Sequence, residues 1–279
     1  MSSVTKRIGE IKQPRGGYIK PSAFEAIVMD DGITLNEEEN IHGTIVGLAV
    51  DYLTRFYMGT DIVEAFGISL KGATIAEKIG GKKSLNVATK LMNGIKGLDE
   101  DSVKNACKLV TFDVWLRNPL GAMMAKGYEE TNPDKETIQN IQMLVKRSVA
   151  FFEKYGRATN DGFTFEPVEE DKSAYEKMIK TGKGSYGGYT AVVSSGDGDF
   201  LTEDTLWDFK VTKAKPTNKQ TLQLLMYWIM GQHSGQEKFK RITRLGIFNP
   251  RLNTVYLLNM KDVPEEIIKA VEKEVICYE

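Results

Sequence analysis

The segment GDGDFLTEDTLWDFKVTK, residues 196–213, decides how this chain is read. It holds two short apolar runs, DFLTE (199–203) and TLWDFKV (205–211), separated by a turn from Thr202 to Thr205. Aromatic and β-branched residues bounded by polar turn residues predict two consecutive strands. Asp197, Asp199 and Asp208 fall on these strands or at their ends. Adjacent strands lie about 4.8 Å apart, so such carboxylates can converge on one point. Clustered carboxylates repel one another and stay ionised only beside a cation. Lys210 follows Asp208 by two positions and so projects from the same face of its strand. A carboxylate pair and an ammonium on one face can hold a metal ion and set a positive charge beside it. Phosphodiester hydrolysis needs that combination: an activated water, neutralised developing charge and a stabilised leaving oxygen.

An acid two residues before a lysine is a weak signal alone, since Glu10-Ile11-Lys12 and Glu170-Asp171-Lys172 match it too. Only Asp208-Phe209-Lys210 sits inside an apolar strand, just after another acidic strand start. Burying a carboxylate and an ammonium there needs a reason. From spacing alone, a structural salt bridge beside an acidic turn stays open.

Working outward, FTFEP (163–167), YTAVVSS (189–195), ITRLGIFN (242–249) and TVYLLNM (254–260) also read as strands. Asn249 to Asn253, NPRLN, reads as a hairpin turn. One helix, Asn218 to Gly231, interrupts them, and a last helix, Glu265 to Val275, follows Pro264. Gln220, Gln223 and Tyr227 share one face of the first of these helices. The fold class is therefore α/β, a central mixed β-sheet flanked by helices, behind a helical N-terminal half. Residues 36–157 supply that half. Asn36 and Glu39 have capping-box spacing; helices are expected from there to Gly59, over Ser84–Ile95, over Asp101–Arg117 with Pro119 as the stop, and over Lys135–Tyr155. His42 reads as a helix-start residue. Residues 1–35, with Lys6, Arg7, Lys12, Arg15 and Lys20 among prolines and glycines, read as a basic irregular arm. The sheet half, residues 158–279, is expected to form one composite domain with the helix at 37–58.

Composition narrows the chemistry. Of 279 residues, 41% are apolar and 27% charged, as in ordinary globular chains. Lys plus Arg total 37 against 38 Asp plus Glu, so a nucleic-acid site must be a local basic patch. Two cysteines and two histidines exclude an iron–sulfur cluster and any Cys- or His-rich metal site. Any metal must be a hard ion held by carboxylates, Mg²⁺ or Mn²⁺. Neither TGKGSYGGY (181–189) nor GGKKS (80–84) has phosphate-loop spacing, so no nucleotide cofactor is expected. TGKGSYGGY reads as a hairpin loop. Asp197-Gly198-Asp199 lacks a calcium-loop ligand at Leu201. No apolar run is long enough for a membrane span and no leader is evident, so a cytoplasmic protein is the default. From Thr205 to Asn253, nine basic residues including Lys213, Lys215 and Lys219 face only Asp208 and Glu237. That balance suits a phosphate backbone.

Taken together, Gly196 to Asp199, Asp208 to Lys210 and Gln223 to Tyr227 resemble, in order and spacing, the motifs G-x-x-D, D/E-x-K and Q-x-x-x-Y of the PD-(D/E)XK nuclease superfamily. The likeness is to its RecB-type branch, which includes phage-type exonucleases, and it covers roughly residues 160–260. The resemblance implies a restriction-endonuclease-like core and a metal-dependent deoxyribonuclease, a DNA exonuclease of phage or recombination type. It implies Asp199, Asp208 and the main-chain carbonyl of Phe209 as ligands of one or two Mg²⁺ or Mn²⁺ ions. Lys210 would orient the attacking water, and Gln220, Gln223, Tyr227 and Lys213 would support the site or contact nucleic acid. The helix HGTIVGLAVD (42–51) is similar to an upstream family pattern but carries Gly47 where a histidine belongs; Asp51 falls near its acidic position and is a further candidate ligand. Asp197 and Glu166 are candidate neighbouring acids. DNA is the implied partner, and the family allows a phage recombination protein and a homo-oligomer. Two other readings stay open: a catalytically silent nucleic-acid binder of the same fold, and a helical scaffold protein whose acidic strands are structural.

Overall fold

The structure is a computed structural model that describes residues 2–80 and 83–278. The chain divides into two compact units. One comprises Met1–Met29, Phe152–Lys210 and Ala214–Glu279; the other comprises Asp30–Phe151 and Val211–Lys213.

The first unit is built on a mixed six-stranded sheet. Its strands are β1 (Glu25–Val28), β2 (Asn160–Phe163), β3 (Gly198–Leu201), β4 (Thr205–Phe209), β5 (Arg244–Asn249) and β6 (Thr254–Asn259). Their spatial order is β1-β6-β5-β4-β3-β2. All neighbours are antiparallel except β4 and β5, which are parallel. A parallel pair needs a crossover, and the helix Asn218–His233 supplies it. The sequence has two-residue alternation along these strands, and the sheet uses it. Leu201, Leu206, Leu245, Ile247, Tyr256 and Leu258 lie on one face and pack with Leu222, Leu225 and Met226 of the helix. Phe200 and Trp207 lie on the other face, where Phe152 and Tyr155 meet them. Gly246 sits under Trp207, because a Cβ there would come within 2.3 Å of the indole ring.

The basic arm expected over residues 1–35 is instead ordered. Ser3 caps a helix, Val4–Glu10, whose Val4 and Ile8 are buried, and Glu25–Val28 pairs with β6 as the edge strand. The apolar residues of this segment, Val4, Ile8, Ile19 and Phe24, pull it into the core despite its charge.

Other boundaries move for local reasons. The strand expected over 163–167 stops at Phe163, since the carbonyls of Thr164 and Glu166 accept from Gln236 Nε2 and the N–H of Phe165 donates to the Tyr189 hydroxyl. YTAVVSS breaks in two because Thr190 Oγ1 accepts from the N–H groups of Val192 and Val193. The glycine-rich stretch forms the expected hairpin, Ser185–Tyr186 against Tyr189–Thr190. At 249–253 the Asn249 side chain accepts from the N–H of Arg251, closing the expected turn.

The second unit is helical. Its main helices are Gly43–Tyr57, Gly67–Gly80, Ser84–Asn93, Glu100–Leu109 and the part of Lys135–Tyr155 that precedes Phe152. Asn36 and Glu39 do not form a capping box. Both bind Asn140 instead, and the helix begins at Gly43 with His42 as its N-cap. The helix expected over 101–117 is interrupted by a 3₁₀ turn, Val110–Phe112, where the Thr111 hydroxyl bonds the Lys108 carbonyl and competes with the helical ladder. Pro119 opens a short helix capped by Asn118 rather than simply ending one. At the centre of the unit the buried Asp113 carboxylate accepts from Tyr52 at 2.6 Å and from Ser69 at 2.5 Å. Of the pentapeptide 80–84, Gly81 and Lys82 lie outside the described residues.

Candidate active site

β3 and β4 are paired through Phe200 with Trp207 and Leu201 with Leu206. One step further along the same register, Asp199 stands opposite Asp208. Directly opposed residues of antiparallel strands share a face, and this is the face covered by the helix Asn218–His233. The connection between the strands is only Thr202–Asp204, so the sequence brings the two acids together locally.

Asp208 is 2% exposed. Its Oδ1 lies 2.7 Å from Lys210 Nζ, and its buried Oδ2 has no hydrogen-bond partner. Burial pushes the carboxyl up from its ordinary value of 3.8 to about 7; the Lys210 ammonium pulls it down and the neighbouring Asp199 pushes it up again. The space between the two acids therefore requires a positive charge, a proton or a cation. Asp199 is half-buried, and its Oδ2 accepts from the N–H of Phe209 at 2.6 Å. In an extended strand the N–H and C=O of one residue point to the same edge, so the Phe209 carbonyl lies on the Asp199 side. The next N–H, of Lys210, turns the other way and donates to Phe248 of β5. Lys210 keeps 30% of its side chain exposed.

The helix closes one wall. Gln223 Nε2 donates to the Tyr227 hydroxyl at 2.8 Å. Tyr227 is buried, and burial together with the negative charges of Asp208, Asp199 and Asp197 holds its phenol protonated far above the usual range. It is a wall of the site rather than an exposed nucleic-acid contact. Gln220 is spent elsewhere: its side-chain oxygen accepts from the N–H of Thr217 and completes a capping box at the helix start. Lys213 belongs to the other unit, where its ammonium donates to the Glu37 carbonyl. Asp51 also belongs there; its carboxylate is ion-paired with Arg55 one helical turn on, at 2.9 Å. Glu166 is exposed on the irregular stretch after β2, and Asp197 is exposed just before β3.

Two roles were not visible in the motifs. Gly198 is a packing glycine, since a Cβ there would fall 1.9 Å from the Phe163 ring; Gly196 likewise admits Val4. The Tyr189 hydroxyl donates to the Gly196 carbonyl at 3.1 Å and so braces the entry to β3. Nothing in the glycine-rich sequence around Tyr189 signals this.

Among the described residues no group of three or more Asp, Glu, His or Cys is placed to hold a metal ion; this end of the sheet offers a carboxylate pair with a main-chain carbonyl beside it. An orphaned, buried carboxylate oxygen facing a second carboxylate fits a hard divalent ion whose remaining positions are filled by water. Comparison with family models, with curated proteins and with solved structures finds no match to this chain. Among the described residues no helix is long and apolar enough to cross a membrane.

Proposed function

We propose that this chain is a metal-dependent deoxyribonuclease with a restriction-endonuclease-like core, a DNA exonuclease of phage or recombination type. One observation carries the reading: the buried Asp208 carboxylate, with one oxygen on Lys210 and the other unpartnered against Asp199. Burying an ionised carboxylate costs several kcal/mol unless it is compensated, and a divalent ion between the two acids is the compensation that also gives chemistry.

The position supports the same reading. Asp208 to Lys210 lie at the carboxyl end of β4, where the chain leaves for the crossover helix and returns parallel as β5. In open α/β sheets ligand sites collect outside the carboxyl ends of the strands. Asp199, Asp208 and the Phe209 carbonyl would hold the ion. When bound, it would supply an acidified water and neutralise charge on the phosphate. Lys210, tied to Asp208 but open to solvent on one side, would orient the nucleophile and stabilise the developing oxyanion. Tyr227 and Gln223 would fix the wall behind the acids, and the apolar face of Leu201, Leu206 and Ile247 would exclude bulk water.

The test is cleavage of linear and circular, single- and double-stranded DNA with Mn²⁺, Mg²⁺ or chelator, using wild type, Asp208→Ala and Lys210→Ala. Metal-dependent cleavage by the wild type and its loss in both variants, with circular dichroism unchanged, is the expected result. Wild-type-like cleavage in either variant removes the site. DNA binding without cleavage under every metal would favour the silent-binder reading, for which the Lys210–Asp208 ion pair is a structural bridge.

A further inference from the structure

The first twenty-odd residues run alongside the start of the helix that walls the acids. Gln13 Nε2 donates to the Asn218 carbonyl at 3.2 Å, and the Thr221 hydroxyl donates to the Ile19 carbonyl at 2.7 Å. Between them Gly17 N–H closes a turn onto the Pro14 carbonyl, with Gly16 at φ +89°. That geometry is a type II turn, which favours glycine at its third position and places Arg15 at the outward corner. Gly17 lies so close to the helix that a Cβ would come within 2.6 Å of Asn218 Cβ. Buried Ile19 and Phe24 anchor the far end of the segment in the core.

This juxtaposition joins two basic stretches that are some two hundred residues apart in sequence. Lys12, Arg15 and Lys20 from the first, and Lys215 and Lys219 from the second, are all exposed and belong to the same unit as the acids. None of the five is ion-paired to a described residue, whereas the nearby Lys6 and Arg7 are engaged with Glu10. From Lys219 to Tyr227 the helix rises about 12 Å, which spans roughly three to four nucleotides of a strand. We infer that Lys12, Arg15, Lys20, Lys215 and Lys219 form a ridge that holds the phosphate backbone of DNA a few nucleotides away from the bond at Asp208 and Lys210. The inference deepens the nuclease reading and rests on it for the role of the bound strand, but the ridge itself is a separate binding surface. Its contacts are to phosphates, so it positions the strand without reading bases.

The test is fluorescence anisotropy of a short linear DNA duplex in chelator, so that nothing is cut, over a series of salt concentrations. The triple variant Lys12→Glu/Arg15→Glu/Lys20→Glu is compared with wild type and with a charge-matched control, Lys177→Glu/Lys180→Glu/Lys183→Glu, whose lysines are exposed elsewhere on the same unit. Expected is at least tenfold weaker binding for the ridge variant, with the slope of log affinity against log salt reduced by about 2–3. The control should bind as wild type does. Unchanged affinity and slope in the ridge variant, or an equal loss in the control, would overturn the ridge. The two readings fail separately. A wild type that cuts DNA while the ridge variant binds normally removes the ridge alone; ridge-dependent binding with no cleavage under any metal removes the nuclease reading alone.

Discussion

The N–H of Phe209 donates to Asp199 Oδ2 at 2.6 Å, across two strands and one step beyond their last paired residues. This single bond turns the Asp199 carboxylate toward β4, where Asp208 stands. It converts two ordinary strand-end acids into a facing pair, and most of what the site should do in solution follows from that repulsion.

Stability should depend on pH through Asp208. Its carboxyl is raised in the folded chain from 3.8 to about 7, by burial first. Between those two pH values the folded chain keeps a proton that the unfolded chain has lost, so stability falls as pH rises across that window and levels off above it. Asp113, also raised by burial, slopes the same way, so the wild type must be compared with Asp208→Asn. Urea midpoints without divalent ions should show the variant gaining on wild type as pH rises, on the order of 1–3 kcal/mol by pH 8. A difference independent of pH would contradict the buried, charge-starved Asp208.

Mn²⁺ should reverse that penalty. The ion competes with the proton for the same acids, so calorimetric affinity should strengthen between pH 6 and 8 and the thermal midpoint of wild type should rise with added metal. Asp208→Asn should show neither effect. A midpoint that ignores metal in wild type would mean that the pair is not a cation site.

Gly198→Ala should destabilise the sheet by about 1–3 kcal/mol, because the new methyl overlaps the Phe163 ring and a packed core resists overfilling. The displaced strand carries Asp199, so metal affinity should fall as well. Paired measurement of urea midpoint and Mn²⁺ affinity checks both; a variant as stable as wild type would show that Phe163 swings aside freely.

Tyr227→Phe removes the hydroxyl that accepts from Gln223 and should cost about 1 kcal/mol. Gln223 is only partly buried and can turn to water, so the fold should survive. Under the nuclease reading, cleavage should drop while DNA binding in chelator stays unchanged. Equal losses in both would make Tyr227 a general packing residue.

In the helical unit, Asp113→Ala strips two buried hydroxyls, Tyr52 and Ser69, of their acceptor. About 2–4 kcal/mol of stability should be lost. Asp113→Asn, which still offers one acceptor oxygen, should lose less. Chemical denaturation of the two variants side by side gives the ordering, and the reverse order would refute the account.

The strands that carry the site were legible because their signal is local. TLWDFKV and DFLTE hold both the alternation and the acids, and a short turn leaves them no option but to pair. The crossover helix from Asn218 was legible from its apolar spacing. The N-terminal segment was not. Its basic residues suggested solvent, but four scattered apolar side chains, Val4, Ile8, Ile19 and Phe24, dock it to elements distant in sequence. Asn36 and Glu39 carried capping-box spacing, yet Asn140, a century of residues away, claims both. Gln220 looked like a site residue because it shares a helix face with Gln223, and only the capping geometry at Thr217 shows where its oxygen goes. In the first two cases a long-range partner outbid the local pattern; for Gln220 a cap three residues away did.

The parallel pairing of β4 with β5 has a consequence for assembly of the chain. Asp199 and Asp208 meet through a hairpin whose closure constrains few residues and costs little entropy, whereas β5 can join only after the crossover helix has formed and swung back. On a growing polypeptide the two acids would meet first in open water, where their repulsion is weak, and their apolar cover would arrive later. Under the nuclease reading, an ion captured at that early stage would be sealed in as the helix docks.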